Sequence, residues 1–412
     1  MPSLIPASIR EFTDLLNPSS RRLLIGLVLN SMGGGMTMSL LLVYLHDLRG
    51  FTNTFGGLVL SVGAAVSLMA SGPYGALVDR IGPKKVLAAG LLLESAGAFS
   101  WSLVTTHWQA MATTVLVSLG ASAVWSPQMV ALTRLTPKEH RQKIFGLNFM
   151  LLNLGLGLGS LIAASIISEG SLQSFKILYY VDSFTFFAYF AIVISINSAL
   201  IGKYVPEDKE EAKGSYRDLL SNRPIILLAV SGLVLMTFGY GVLASGIPLY
   251  STQYLGLSPK WLGVIFGANT FSIVIFQPYV LRKLSKRSKY SAIISVGAFW
   301  AASWAVVGLS ALLPMFLAGL AICISQIIFA FGEMIWSPSA PTLINELSPE
   351  NIRGRANALV GLQWSVSGVL GPAITGLMFG AGLEQWWVLV MFLGALLPIP
   401  LLIRLRKMVP GH

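Results

Sequence analysis

The sequence predicts an all-α, polytopic membrane protein with twelve transmembrane helices in two related six-helix bundles. Three observations predict it. Charge is scarce along the whole chain, twelve apolar segments have spanning length, and the basic residues gather on one side of those segments. Of the 412 residues, 54% are hydrophobic and 11% are charged; a soluble domain carries about 25% charge. The deficit covers the full length, so a soluble protein with a single anchor is excluded.

The apolar segments run 22–45, 53–77, 85–103, 109–131, 144–167, 175–200, 224–250, 259–281, 290–310, 313–337, 356–380 and 386–404. Each is near the ~20 residues that cross the hydrocarbon as a helix. They are too long for barrel strands of ~10 residues, and a lipid-facing backbone must satisfy its own hydrogen bonds. Residues 1–20 are mixed polar and show no cleavable signal, so the first segment is expected to be retained.

With the N-terminus placed in the cytoplasm, 25 of the 28 Lys and Arg residues fall on the cytoplasmic side. Only Arg49, Lys176 and Lys260 fall outside. This is the positive-inside asymmetry, and it puts both termini in the cytoplasm of a cell-membrane protein. The net charge of +11 is thus a topology device that meets anionic lipid, and no nucleic-acid partner is expected. The single cysteine, Cys323, lies in an apolar segment and makes no intrachain disulfide.

The longest polar stretch, 202–223, splits the segments six and six. The expected domains are an N-terminal bundle over 1–200, a linker over 201–223 and a C-terminal bundle over 224–412. An internal repeat supports the split. Trp125-Ser126-Pro127, ending segment 4, returns as Trp336-Ser337-Pro338, ending segment 10. Leu135-Thr136-Pro137 returns as Leu347-Ser348-Pro349, and Arg141 as Arg353.

Between segments 2 and 3 lies Gly75-Ala76-Leu77-Val78-Asp79-Arg80-Ile81-Gly82-Pro83-Lys84-Lys85. Gly75 would allow close helix approach. Asp79, Arg80, Lys84 and Lys85 mark an exit from the bilayer, and Gly82-Pro83 makes the turn. The spacing resembles the loop signature between helices 2 and 3 of the major facilitator superfamily, with Pro83 where that family usually has a basic residue. The resemblance covers essentially the whole chain. It implies two bundles around a cavity that opens alternately to each side, lined by helices 1, 4, 7 and 10. It also implies a conformational latch at Gly75, Asp79, Arg80, Gly82 and Lys84. There Asp79 would cap a helix N-terminus, that of segment 11, and Arg80 would pair with an acid.

Three acids lie inside the membrane: Glu94 in segment 3, Asp182 in segment 6 and Glu333 in segment 10. An intramembrane carboxyl is a functional candidate by default, so all three are candidates for carrying a proton. Glu333 leads, because Gln326, Ala330, Glu333 and Ser337 form a polar stripe at helical spacing. Asp182 is near Lys176 in sequence, so a local ion pair is expected. The run Tyr180–Phe184 resembles a pattern in facilitator exporters. His46-Asp47 ends segment 1 and marks the interface. Asn30, Gly34, Thr37 and Tyr44 share a face of segment 1, and segment 7 offers Met236 and Tyr240. With Gln326 and Glu333 they are candidates to line a roomy, mostly apolar pocket. Ordinary helix packing accounts equally well for any one of them.

Segment 5 carries Gly155-Leu156-Gly157-Leu158-Gly159-Ser160, whose Gly-x-x-x-Gly spacing permits close helix contact. It resembles the family's antiporter signature, with Ser160 in place of the usual Pro. The arginine of drug–proton antiporters is absent before Gly120. No G-K-[ST] phosphate loop, metal spacing or catalytic constellation is present. The expectation is a monomeric secondary transporter, not an enzyme. It would have no cofactor or metal and would be driven by a proton gradient, exporting apolar or amphipathic small molecules. An uptake symporter or uniporter for a small organic solute is the alternative. A lipid-handling or sensory protein is the alternative from another class.

Overall fold

The computed structural model describes residues 16–137, 141–168, 170–197, 220–284, 287–349 and 353–409. A helical stretch covers each of the twelve predicted segments. We number them α1 (Pro18–Thr37, continued by turns to Leu48), α2 (Asn53–Ile81), α3 (Pro83–Trp101), α4 (His107–Arg134), α5 (Arg141–Ile166) and α6 (Leu172–Ser195). The second six are α7 (Arg223–Phe238, continued by turns to Tyr254), α8 (Lys260–Leu284), α9 (Lys289–Ser310), α10 (Met315–Leu347), α11 (Arg353–Gly380) and α12 (Glu384–Leu396, continued by Pro398–Met408). Ten of these are long and apolar enough to cross a membrane. The linker predicted over 201–223 lies mostly outside the described residues.

Two helices end later than expected. Neither Trp125-Ser126-Pro127 nor Trp336-Ser337-Pro338 stops its helix, since Pro127 and Pro338 lie inside α4 and α10. A proline removes one backbone bond, which neighbouring helices can offset. α10 stops at Ser348, in extended conformation, because the residue before Pro349 is pushed out of the helical region.

The chain forms two compact units. The first comprises residues 1–37, 66–166 and 172–206. Hydrophobic burial gives helices no drive to associate in lipid, so close packing at small residues must do so. A Cβ at Gly155 would lie 2.7 Å from Ser31 Cβ, and one at Gly159 would strike the Met32 carbonyl. The Gly-x-x-x-Gly of α5 is therefore where α1 crosses it. Ser160 Oγ completes the crossing by donating to the Gly35 carbonyl at 3.1 Å. Leu23, Leu87, Leu91, Phe186 and Tyr189 form an apolar core between α1, α3 and α6.

The second unit comprises residues 38–65, 167–171 and 207–412, so it includes the end of α1 and the start of α2. Its core is aromatic. Trp300 stacks on Phe329 at 4.8 Å, and Trp304 meets Trp387 edge-on at 5.3 Å. Each indole N–H is satisfied: Trp300 donates to the Phe329 carbonyl, Trp304 to the Phe238 carbonyl and Trp387 to Thr375 Oγ1. The start of α2 is tied in by Asn53, which exchanges two hydrogen bonds with Gln253 at 2.6 and 3.0 Å. Ser61 Oγ adds a bond to the Val369 carbonyl of α11 at 2.8 Å.

The duplication is deeper than the sequence repeat. Asn17 accepts from the Ser20 amide at the start of α1 and donates to the Leu135 carbonyl at the end of α4. Asn222 does the same for α7 and α10, accepting from the Ile225 amide and donating to the Leu347 carbonyl. The left-handed glycines Gly50 and Gly170 have counterparts in Gly256 and Gly382. α1 and α7 both carry a 3-10 turn and then a wide π turn, at Tyr44–Leu48 and Tyr250–Tyr254.

Candidate functional site

Two buried polar clusters stand out, one in each unit. In the first, Asp182 of α6 and Glu94 of α3 are both buried. Their neighbours in sequence fix them: Ser95 Oγ donates to the Ser183 carbonyl at 2.9 Å, and Ser183 Oγ donates to the Ser95 carbonyl at 2.8 Å. This reciprocal clasp holds α3 against α6 and leaves the two acids within electrostatic reach of each other. Asp182 Oδ2 accepts from Thr37 Oγ1 of α1 at 2.8 Å. Gly33 makes that approach possible, since a Cβ there would strike Asp182 Oδ1 and Thr185 Oγ1. Asp182 Oδ1 and Glu94 Oε2 have no hydrogen-bond partner among the described residues. Below them Tyr189 donates to Gln128 Oε1 at 3.0 Å, and Gln128 Nε2 to Asn148 Oδ1 at 3.3 Å. The polar chain thus crosses α1, α3, α4, α5 and α6.

The ion pair expected between Lys176 and Asp182 is not formed. Asp182 bonds Thr37 instead. Six residues along a helix do not share a face, so Asp182 points into the unit and Lys176 cannot follow. Neither Asp182 nor Glu94 has a cationic partner among the described residues.

In the second unit Glu333 Oε2 accepts from Asn269 Nδ2 of α8 at 2.7 Å. The same amide lies 3.4 Å from the Gln326 carbonyl. Gln326 is fully buried, and neither atom of its side-chain amide has a hydrogen-bond partner among the described residues. A buried, unsatisfied amide costs ~1–3 kcal/mol, which makes Gln326 a candidate contact for a ligand. Tyr240 of α7 lies within electrostatic reach of Glu333. It meets Trp364 of α11 edge-on at 4.5 Å. The predicted stripe is real but graded: Gln326 and Ala330 are buried, Glu333 is half-buried and Ser337 is exposed.

The other sequence candidates divide. Gly34 has open space where a Cβ would sit, and Asn30 Oδ1 is buried without a partner. Met236 is fully buried. Tyr44 is fully buried too, with its hydroxyl accepting from Arg49 Nε at 2.8 Å. His46 and Asp47 pair with each other at 2.7 Å.

In the charged turn, Gly82 has φ 86° and ends α2, and Pro83 opens α3. Lys84 Nζ donates to the Ile194 and Ile196 carbonyls, capping the end of α6. Cations favour that pole of the helix dipole. Gly75 has no described neighbour within 4 Å of a Cβ, so the close approach expected there is made at Gly155 and Gly159 instead. Arg80 makes no ion pair among the described residues. The side chain of Asp79 lies outside them.

Sequence reading missed Asn269, Trp364, Gln128 and Asn148. Each is a single polar or aromatic residue in an apolar run, a signal that becomes specific only once partners on other helices are known.

A family model described as Major Facilitator Superfamily matches residues 23–332. The chain is 26% identical to an uncharacterized MFS-type transporter, YttB, of Bacillus subtilis (strain 168), over 86% of this chain and 87% of that one. It is 25% identical to the quinolone resistance protein NorA of Staphylococcus aureus, over 86% and 88%. Among solved structures, a POT family transporter in complex with a thioalcohol conjugated peptide has a TM-score of 0.79 at 14% identity, covering 95% and 96%. The nucleoside transporter NupG has 0.74 at 14%, covering 96% and 100%. At such identity these two share the fold alone. Given the multi-pass helices and a family match over most of its length, the chain belongs to the major facilitator superfamily of transporters.

Proposed function

We propose that the chain is a proton-coupled exporter of apolar or amphipathic small molecules, working by alternating access in the cell membrane with both termini cytoplasmic. The observation that carries this reading is the second-unit cluster. Glu333 is held by Asn269 beside Tyr240, and Gln326 has an amide with no partner. A carboxyl without a cation inside the membrane can take up and release a proton. An unsatisfied amide and an aromatic pair beside it can hold a largely apolar guest by a few polar contacts. Export is favoured over uptake by the resemblance to NorA, a quinolone resistance protein.

The test uses proteoliposomes with an imposed pH gradient, a lipophilic fluorescent dye as cargo and a pH indicator inside. The wild type should move dye against its gradient and dissipate the pH gradient as it does so. Glu333→Gln should bind dye but lose gradient-driven movement. Undiminished gradient-driven flux in Glu333→Gln rules this residue out as the coupling acid. Dye movement in the wild type without proton movement rules out coupling altogether.

A further inference from the structure

Where α8 meets α9 in the second unit, two cavities adjoin and share Arg287. One, of about 200 Å³, lies at the N-terminus of α9, a helix of 22 residues. Ser288 sits at the N-cap but makes no capping bond, and its hydroxyl oxygen is buried without a partner. Among the described residues no side chain caps the first-turn amides of α9, which leaves its positive pole open there. The one acid of this cavity, Glu346, is engaged by Lys289. Arg287 is exposed and makes no ion pair among the described residues.

The other cavity, of about 260 Å³, runs from Lys283 and Arg287 between α8, α9 and α10 to Phe299 and Phe331, whose rings stack at 6.0 Å. Lys283 stands at its mouth, 3.2 Å from the Tyr279 hydroxyl and over that ring. The volume is below the ~300–1,000 Å³ that encloses a drug-sized molecule. A narrow apolar groove with cations at one end fits a hydrocarbon chain with an anionic head.

We propose that this face binds an anionic phospholipid. Its phosphate lies between Arg287 and the first turn of α9, with the Ser288 hydroxyl donating to it, and one acyl chain lies along the groove toward Phe299 and Phe331. Each part has its own physical reason. Helix N-termini bind phosphate through free amides and dipole. A guanidinium matches phosphate oxygens in pairs. Basic pockets between membrane helices take up charged lipid heads. Inorganic phosphate would fill only the first cavity and leave the groove empty. A zwitterionic lipid would bring its own cation against Lys283 and Arg287. The positive-inside pattern supplies the source, the cytoplasmic leaflet.

The full-length protein in detergent micelles is titrated with phosphatidylglycerol, with phosphatidylcholine of the same chains, or with inorganic phosphate. Retained lipid is counted by native mass spectrometry, and thermal unfolding is followed in parallel. Wild type should retain phosphatidylglycerol selectively. Arg287→Gln should weaken retention about five-fold, as expected for one basic residue near an anionic lipid. Ser295→Phe, which fills the groove, should weaken it as well. Both should unfold at the wild-type temperature without lipid. Arg22→Gln, a charge-matched change in the first unit, should retain lipid as wild type does. Equal retention by Arg287→Gln and Arg22→Gln would mean general charge attraction and overturn the proposal. So would phosphatidylcholine retained as well as phosphatidylglycerol, or an equal thermal shift from inorganic phosphate.

Discussion

The amide pair Asn53–Gln253 gives the proposed alternating access a measurable handle. Asn53 Nδ2 donates to Gln253 Oε1 at 2.6 Å, and Gln253 Nε2 donates back to Asn53 Oδ1 at 3.0 Å. The pair joins the first turn of α2 to the π turn that ends α7, and both side chains are half-buried. Two neutral hydrogen bonds of ~0.5–1.5 kcal/mol each give a net of about 2 kcal/mol. Under alternating access this contact parts whenever that end of the protein opens. Asn53→Ala removes both bonds, so it should move the ratio of open to closed about 30-fold toward open, at ~1.4 kcal/mol per tenfold. The assay is the distance distribution between spin labels at Thr52→Cys and Lys260→Cys in a Cys323→Ser background. Asn53→Ala and Gln253→Ala should each raise the longer-distance population. The double variant should go no further, because the same bonds are lost only once. Unchanged distributions in the single variants, or full additivity in the double, would refute the reasoning.

Two further outcomes test the packing and the first cluster. Gly159→Ala places a methyl against the Met32 backbone, which cannot swing aside; it should cost ~1–3 kcal/mol by overpacking and lower the Tm in detergent. Gly34→Ala enters open space on the same α1 and should leave Tm unchanged, so equal effects from the two would deny the close crossing. Asp182→Asn keeps an acceptor for Thr37 but cannot carry a proton; it should fold normally and lose gradient-driven transport. Full transport by Asp182→Asn would remove the first cluster from proton handling.

Several of the candidate residues were legible one by one. Glu94, Asp182 and Glu333 announce themselves because a carboxyl in an apolar helix is costly and rare. Thr37 and Tyr240 stood out as polar groups on otherwise apolar faces. Their partners did not. Asp182 looked tied to Lys176 because the two are close in sequence, yet helical rotation turns it to α1. Glu94 stood on a different helix from Asp182 with no link between them in the sequence, and the Ser95–Ser183 clasp brings the two near each other. Tyr44 and Met236 looked like cavity walls and are packed inside.

The sequence by itself determined the all-helical, multi-pass character and the family. Each rests on properties local to the chain: the hydrocarbon thickness sets segment length, charge cannot sit in lipid, and a turn such as Gly82-Pro83 needs particular residues. Only the tertiary structure decided which polar groups meet. Helix rotation and the crossings set by Gly33, Gly155 and Gly159 place Asp182 against Thr37 and α1 against α5. The fold of α8 onto α10 sets Asn269 on Glu333, 64 residues apart in the chain. Such contacts depend on the angle and depth at which helices pack, and no linear spacing encodes those.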